Sequence, residues 1–365
     1  MLAYLLRRLM LIVPTLFGIM ALNFFVAQVA PGGPVEQLLA RLQGTAISTS
    51  TRVTGGGSEV LSGGSTSQGQ SGSYRGSRGL DPAFVERIKK YYGFDKPAYE
   101  RFLIMLRNYA TFNFGKSFFR DTSVIDLVIE KMPVSISIGV WTTLITYLVS
   151  IPLGIAKAVR DGTRFDSWTS AVVIAGSAIP AFLFAILLIV LFAGGRYVQW
   201  FPLAHLVSDN WQDLSWPARI VDYLWHMTLP LIAMLVGSFA TLTMLTKNSF
   251  LDQINQQYVM TARAKGLTER RVLYGHVFRN AMLIVIGGFP AAFIGALFGG
   301  ALLIEIIFSL DGLGLLGYDA LIQRDYPVLF ADLYIFSLMA LVMNLVGDFT
   351  YTLVDPRIDF ESRAT

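Results

Sequence analysis

The chain has 365 residues, no cysteine, 54% hydrophobic residues and only 15% Asp, Glu, Lys and Arg, whereas a soluble domain carries about 25% charged residues. The shortage of charge argues against a soluble enzyme, and the lack of cysteine excludes disulfides, thiolate catalysis and cysteine-ligated metals. The net charge of +4 is too small and too dispersed for a nucleic-acid-binding face, so no nucleic acid is expected as a partner.

Six runs along the chain are long and apolar enough to cross a membrane. A helix needs about 20 mostly apolar residues to cross about 30 Å of hydrocarbon, because lipid satisfies no backbone hydrogen bonds. Only the last run contains a charged residue, Asp348. The pattern predicts an all-α membrane protein with six transmembrane helices. The runs are 9–29, 134–156, 167–195, 227–246, 280–304 and 333–354.

Basic residues in the short connecting segments predict that both termini are cytoplasmic. Short cytoplasmic loops collect Lys and Arg, and the segments on the side of the termini hold 13 basic residues against three on the other side, with the long stretch 30–133 left out. The first run could instead be a cleavable signal peptide, but it is longer than a usual signal core and no clean cleavage site follows. The 13 residues are Arg7, Arg8, Lys157, Arg160, Arg164, Lys247, Arg263, Lys265, Arg270, Arg271, Arg279, Arg357 and Arg363.

The long segment between the first two runs, 31–133, contains a region of low complexity. Residues 45–79 contain nine Gly, nine Ser and five Thr, a composition that cannot bury enough apolar surface to offset its ordering entropy. We expect a flexible loop there, either a tolerated insertion or a contact for an extracytoplasmic partner. Apolar periodicity then predicts short helices over 81–93 and 102–109, and a third over 123–131 that ends at Pro133.

Short motifs suggest three kinds of site, but the residues of each do not have the spacing or the location that its chemistry requires. Gly115-Lys116-Ser117 lacks the upstream glycine of a phosphate-binding loop, since position 110 is Ala. Asp319 and Asp348 suggest an intramembrane aspartyl protease, but we expect Asp319 to lie in a polar outer loop. No metal site is expected either, because the histidines are scattered over both sides of the membrane. They are His205, His226 and His276.

Polar and small residues within the predicted spans have structural and functional interpretations. A carboxylate within a span costs about 2.5–3.5 kcal/mol on insertion scales, so Asp348 should face a cavity or a partner. Asn344 lies one turn earlier and could share its hydrogen bonds; a structural pair and a pathway residue both remain open. Glu305, at the outer end of the fifth span, is expected to reach water. Gly295 and Gly299 favour close helix packing.

The segment 247–280 between the fourth and fifth spans is longer than a turn requires. Tyr258, Ala262 and Lys265 fall on one helical face, small residues permit close approach of another surface, and Gly266 supplies a left-handed helix end. The sequence therefore predicts a short helix that ends in glycine. Its basic residues would face solvent, membrane lipid headgroups or an acidic partner; charge alone indicates only an ordinary positive-inside loop.

The stretch Thr261-Ala262-Arg263-Ala264-Lys265-Gly266 resembles the EAA loop of binding-protein-dependent ABC importer permeases, in the form typical of the oligopeptide and dipeptide group. Thr261 stands in place of the usual leading glutamate. The chain length, the Gly/Ser insertion and residues 246–250 are most similar to the permease of the microcin C type of peptide importer. Shorter resemblances extend over most of the chain, at 92–97, 114–117, 308–314, 324–327 and 355–358.

This resemblance implies the type I ABC importer permease fold in the bacterial inner membrane, and a transport subunit that is not itself an enzyme. The implied parts are an N-terminal transmembrane helix over 1–30, a periplasmic segment over 31–133, a five-helix permease core over 134–356 with the coupling loop 247–280, and a cytoplasmic tail over 357–365. The chain would need no cofactor. Its partners would be a second homologous permease, a cytoplasmic ABC ATPase that binds ATP and Mg, and a periplasmic peptide-binding protein.

The resemblance also assigns roles to residues of the coupling loop. The loop would form a coupling helix that sits in a groove of the ATPase, with Ala262 and Gly266 in close contact and Arg263 and Lys265 at the edge. The substrate cavity would be lined from the second to the fifth spans, but no peptide-contacting residue can be named. The implied coupling residues are Tyr258, Thr261, Ala262, Arg263, Ala264, Lys265 and Gly266.

Two other classes of membrane protein compete with this interpretation. A self-sufficient secondary transporter should contain inverted repeats and several intramembrane ionisable residues for ion coupling, and only Asp348 clearly qualifies. A receptor or assembly scaffold would use the outer segment as its working part. Co-purification of an ATPase distinguishes the importer from both.

Overall fold

The computed structural model describes residues 2–29, 95–195, 197–299 and 301–354. Within these ranges the chain is helical, and the described backbone pairs in β-fashion only at an isolated bridge between Lys116 and Ser123. The Gly/Ser-rich loop, the predicted helix 81–93 and the tail 357–365 lie outside the described residues. The helices are α1 (Leu2–Val29), α2 (Ala98–Ala110), α3 (Val124–Val159), α4 (Arg164–Ala178), α5 (Ala181–Phe192), α6 (Trp216–Ile254), α7 (Gln257–Ala264), α8 (Glu269–Val272), α9 (Phe278–Gly287), α10 (Phe289–Ile294), α11 (Ala301–Ile307), α12 (Leu313–Gln323) and α13 (Tyr326–Val354).

The helices include five segments long and apolar enough to cross a membrane, or six when the bent pair α4 and α5 counts as one span. The prediction of an all-α membrane protein is therefore confirmed. Helices α3 and α6 extend well beyond the uncharged runs that predicted them, because polar residues at the ends of a span continue the same helix.

The third predicted span, 167–195, is not a straight helix. Helices α4 and α5 meet at an angle of 91°, and Ile179 between them is extended, with φ −88° and ψ 120°. The following Pro180 explains the break, because a proline ring disfavours helical geometry at the preceding residue and supplies no N–H to continue the ladder.

The predicted short helix that ends at Pro133 is wrong. Helix α3 runs through Pro133 and Pro152 without interruption. Val124 and Val128 before Pro133, and Ile138 after it, are fully buried, so packing holds both halves of the helix in place. Neighbouring groups can satisfy the carbonyl that a proline leaves free, which makes proline tolerable in membrane helices.

The fifth predicted span, 280–304, is a succession of short elements. Helices α9 and α10 meet at Gly288, and a π-helical turn occupies Gly295–Gly299. A second π-helical turn, Leu273–Val277, lies just before the span. π-Helical turns insert an extra residue into the hydrogen-bond ladder and are frequent at functional sites.

Contacts divide the chain into two compact units. The first comprises Met1–Ile12, Ile129–Leu315 and Phe336–Thr365, with α6 as its central helix, against which α4, α5 and α9 pack. One of its buried clusters contains Ile138, Met227 and Ile304. A second buried cluster lies around Phe250 and Val259.

The second unit comprises Val13–Val128 and Leu316–Ile335. Tyr109 is buried in this unit, with its ring centroid 4.8 Å from that of Phe114 and 5.5 Å from that of Tyr334. In the Gly-Lys-Ser stretch, the hydroxyl of Ser117 donates to the carboxylate of Asp325. This stretch is therefore a structural anchor within the unit.

Candidate functional site

The predicted short helix between the fourth and fifth spans is present as α7. Its end has the hydrogen bonds of a Schellman motif: Gly266 N–H donates to the carbonyl of Arg263 at 2.9 Å, and Leu267 N–H to that of Ala262 at 3.3 Å. Gly266 has φ +80°, so the predicted left-handed glycine is confirmed. The motif ends α7 at a defined residue and turns the chain towards α8.

The two faces of α7 have different environments. Val259 is fully buried and Ala262 is 6% exposed, and both belong to the cluster around Phe250 that also includes Val272. The predicted close approach at Ala262 is therefore made by the chain's own core. This corrects the expectation that Ala262 contacts a partner, because a partner cannot reach a side chain that is already covered.

The other face of α7 is open. The implied coupling residues that are exposed are Thr261, Arg263, Ala264, Lys265 and Gly266. These residues, with Ala262 excluded, form the surface that we call the α7 face.

Ion pairing and hydrogen bonding hold the flanks of α7. Arg263 Nε lies 2.9 Å from Glu269 Oε1, and its terminal nitrogen lies 3.1 Å from Oε2. This bidentate pair links α7 to the first residue of α8. The Tyr258 hydroxyl donates to the side-chain carbonyl of Gln253 at 2.9 Å, which links α7 back to α6. The segment thus has side-chain contacts with the neighbouring helix at each end.

A buried network of charges lies where α3, α4 and α6 meet. Lys157 is fully buried, and its Nζ lies 3.0 Å from Asp166 Oδ1, 2.9 Å from Thr169 Oγ1 and 2.6 Å from Ser170 Oγ. Lys247 Nζ lies 2.7 Å from the other oxygen of Asp166. One carboxylate therefore joins two lysines from different helices.

Sequence reasoning missed this network because it only counted both lysines among the basic residues of the connecting segments. A usable sign was present in the sequence: Lys157, Asp166 and Lys247 each stand directly beside the end of an uncharged run, all on the side predicted to be cytoplasmic. Opposite charges at such boundaries can form ion pairs, since the helices that carry them end at the same depth in the membrane.

Glu305 is also buried, which corrects the expectation that it reaches water. It is fully covered and accepts hydrogen bonds from Ser135 Oγ at 3.0 Å and from Leu315 N–H at 2.7 Å. A Cβ on Gly314 would lie 3.0 Å from Glu305 Oε2, and one on Gly312 would lie 2.8 Å from Ser135 Oγ. The two glycines therefore leave room for this carboxylate.

The candidate intramembrane residues Asn344 and Asp348 are not brought together. Asp348 pairs with the guanidinium of Arg8, whereas the side chain of Asn344 is exposed. Both interpretations of Asp348, the structural pair and the pathway residue, stay predictions. Asp319 belongs to helix α12 and not to a loop, and its carboxylate lies 3.4 Å from Arg120.

A cavity of about 460 Å³ opens in the first unit between the second, third, fourth and fifth predicted spans. Ligand sites commonly measure about 300–1,000 Å³. The described residues that line it include several hydroxyl side chains and none with a charge. The cavity and the α7 face are both able to engage other molecules.

Comparison with known proteins gives consistent matches. The sequence model of the family described as "Binding-protein-dependent transport system inner membrane component" matches residues 150–360. The chain is 61% identical to the peptidoglycan transport system permease protein YejB of Agrobacterium fabrum, over 99% of both chains. It is 57% identical to the inner membrane ABC transporter permease protein YejB of Escherichia coli O157:H7, over 99% of this chain and 100% of the relative. It is also 32% identical to the oligopeptide transport system permease protein AppB of Bacillus subtilis, over 99% of this chain and 100% of the relative.

Proposed function

We propose a specific role from one established premise: the chain belongs to the family of inner membrane components of binding-protein-dependent transport systems. In this role the chain is a permease subunit of an ATP-driven peptide importer. It forms half of the translocation pathway and couples to a cytoplasmic ATPase through the α7 face.

The observation that carries the coupling role is the construction of α7. Its inner face is buried in the core cluster around Phe250, its end is fixed by the Schellman motif at Gly266, and its outer face is exposed. A push on such a helix is transmitted to the bundle as a rigid-body displacement, which alternating access between two packings requires.

Peptides are the proposed substrates because the relatives point to a common chemistry. One is named for peptidoglycan transport and another for oligopeptide transport, and both materials contain peptide linkages. Microcin C-like peptides are the narrower proposal, and uptake of microcin C by cells that carry only this importer tests it.

The proposed assembly contains this chain, a second homologous permease, two ATPase domains that bind ATP and Mg, and a periplasmic peptide-binding protein. The test is ATP hydrolysis by the purified assembly. An increase in hydrolysis when peptide is added would support this composition. Ion-driven uptake by the chain alone would instead indicate a secondary transporter.

Gly266→Asp tests the coupling role. The substitution places a side chain at φ +80°, which costs a non-glycine residue about 1–2 kcal/mol, and it adds a negative charge to the α7 face. We expect peptide uptake per inserted permease to fall by about tenfold or more, within the range of coupling free energies between sites, while membrane abundance is kept. Uptake and abundance are measured in the same cells.

Gly115→Asp is the matched control for backbone strain. Gly115 has φ +76° and, like Gly266, has open space around the point where a Cβ would stand, with no heavy atom within 4 Å, but it belongs to the other unit. Normal uptake by the Gly266 variant contradicts the coupling role. Equal losses in the two variants would attribute the effect to strain.

A further inference from the structure

Three threonines of α3 line the core cavity and are almost completely buried. Thr142 is 2% exposed, Thr143 5% and Thr146 7%. Residues three and four apart on a helix share a face, so the three side chains form one polar stripe along the cavity wall.

The hydroxyls of this stripe have no hydrogen-bond partner among the described residues. A buried hydroxyl without a partner is unfavourable, and a threonine or serine in a helix can avoid this by donating to the carbonyl one turn earlier. Ser238 on the opposite wall does so, with its hydroxyl 2.8 Å from the carbonyl of Met234. The threonines of α3 have no such partner and line the cavity, so their hydroxyls are available to a molecule that enters it.

The chemistry of the wall restricts what that occupant can be. A hydroxyl both donates and accepts, so it pairs equally well with a carbonyl and with an amide N–H. No described lining residue is charged, and Met234, Leu242 and Val285 make much of the remaining wall apolar. The wall therefore suits neutral amide groups flanked by variable side chains, and is unsuited to ionised groups.

We propose that the threonine stripe of Thr142, Thr143 and Thr146 binds the main chain of the transported peptide. The hydroxyls pair with peptide N–H and C=O groups, and the apolar wall accepts side chains without selecting among them. The inference rests on the proposed function, and it adds the residues that hold the substrate and the part of the substrate they recognise.

Thr243 provides a matched comparison within the same chain. It is fully buried and its hydroxyl also has no partner among the described residues, but it does not line the cavity. Its backbone carbonyl would instead lie 2.8 Å from a Cβ on Gly154, in a tight contact between α3 and α6. Thr243→Val therefore removes a buried hydroxyl without changing the cavity wall.

The test measures peptide uptake by the complete transporter in proteoliposomes, with penta-alanine and penta-alanine N-methylated at its central peptide bonds. Valine has the shape of threonine without the hydroxyl. We expect the triple variant Thr142→Val, Thr143→Val, Thr146→Val to raise the apparent KM for penta-alanine by about tenfold, the size of one or two hydrogen bonds. Thr243→Val should leave this KM unchanged.

The N-methylated peptide tests the main-chain contact, because it lacks the N–H groups that the hydroxyls would bind. Measuring both peptides with the wild-type and the triple-variant transporter forms a double-mutant cycle. Any preference of the binding protein for one peptide is the same for both transporters and therefore cancels. The wild-type transporter should discriminate between the peptides more strongly than the triple variant does. Unchanged discrimination, an equal effect of Thr243→Val, or loss of the partner permease from the triple-variant complex would overturn the proposal. If the wild-type transporter takes up no peptide at all, the proposed function itself fails.

Discussion

The carboxylate of Asp166 is shared by two buried lysines, Lys157 and Lys247, which come from different helices. Asp161 adds a second carboxylate, 2.8 Å from Lys247. Breaking a buried ion pair by removing one partner is costly, because the remaining charge stays desolvated. The network therefore ties α3, α4 and α6 together beside the cluster that holds α7.

Asp166→Asn is expected to destabilise the purified permease by about 3–5 kcal/mol, since it leaves two buried ammonium groups with less opposing charge. Glu269→Gln is the control: it breaks a pair in which the glutamate side chain is 75% exposed, and exposed pairs contribute about 0–1 kcal/mol. The unfolding midpoints of both variants, measured in one detergent, test the difference. Similar midpoints would mean that the network does not hold the helices together.

Asp325 in the second unit should make stability depend on pH. Burial raises the pKa of this carboxyl above its usual value, although Ser117 Oγ and Phe118 N–H donate to it. The folded state then binds the proton more tightly than the unfolded state. The stabilisation is full below the ordinary carboxyl pKa of about 4 and is lost as pH rises through the higher folded-state pKa.

We expect the unfolding midpoint to fall as pH rises from about 4, and Asp325→Asn to flatten this part of the profile. Ser117→Ala provides the opposite test. The Ser117 hydroxyl favours the charged carboxylate, so its removal should raise the folded-state pKa further and extend the decline to higher pH. Parallel pH profiles for the wild type and both variants would contradict the role of Asp325.

At the level of elements, local patterns predicted what local interactions decide. A long apolar run was sufficient to predict each of the helices α1 and α13. The glycine after Lys265 was sufficient to predict the end of α7, because a left-handed helix end depends only on nearby residues. The two prolines show the limit. Pro133 and Pro180 look alike in sequence, yet packing keeps the helix continuous at the first and the chain bends at the second.

The candidate site could be predicted only in part, for the same reason. The position of α7 follows from local sequence, but the burial of Ala262 depends on Phe250 and Val272 from other elements. The buried carboxylate of Glu305 depends on glycines that follow it in a separate turn. Such tertiary contacts are invisible to periodicity and charge counting, and each of them reversed an expectation about exposure.

For the whole molecule, both the number of membrane crossings and the distribution of basic residues predict on which side of the membrane the termini lie. Counted over the described helices, five crossings place the termini on opposite sides of the membrane and six place them on the same side. The bent pair α4 and α5 makes the difference between these two counts. The basic residues predict the same, cytoplasmic side for both termini, with 13 against three in the short segments. The bent pair must then cross the membrane as one span.

Reporter fusions to the full-length chain test this topology. Green fluorescent protein fused after Thr365 should fluoresce, and alkaline phosphatase at the same point should be inactive, because each reporter works on only one side of the inner membrane. Insertion of the same reporters in the segment 196–226 should reverse both results. An active phosphatase at the C-terminus, together with a cytoplasmic N-terminus, would mean that α4 and α5 enter and leave on one side. The α7 face would then lie on the wrong side to meet an ATPase, and the proposed coupling would fail with the topology.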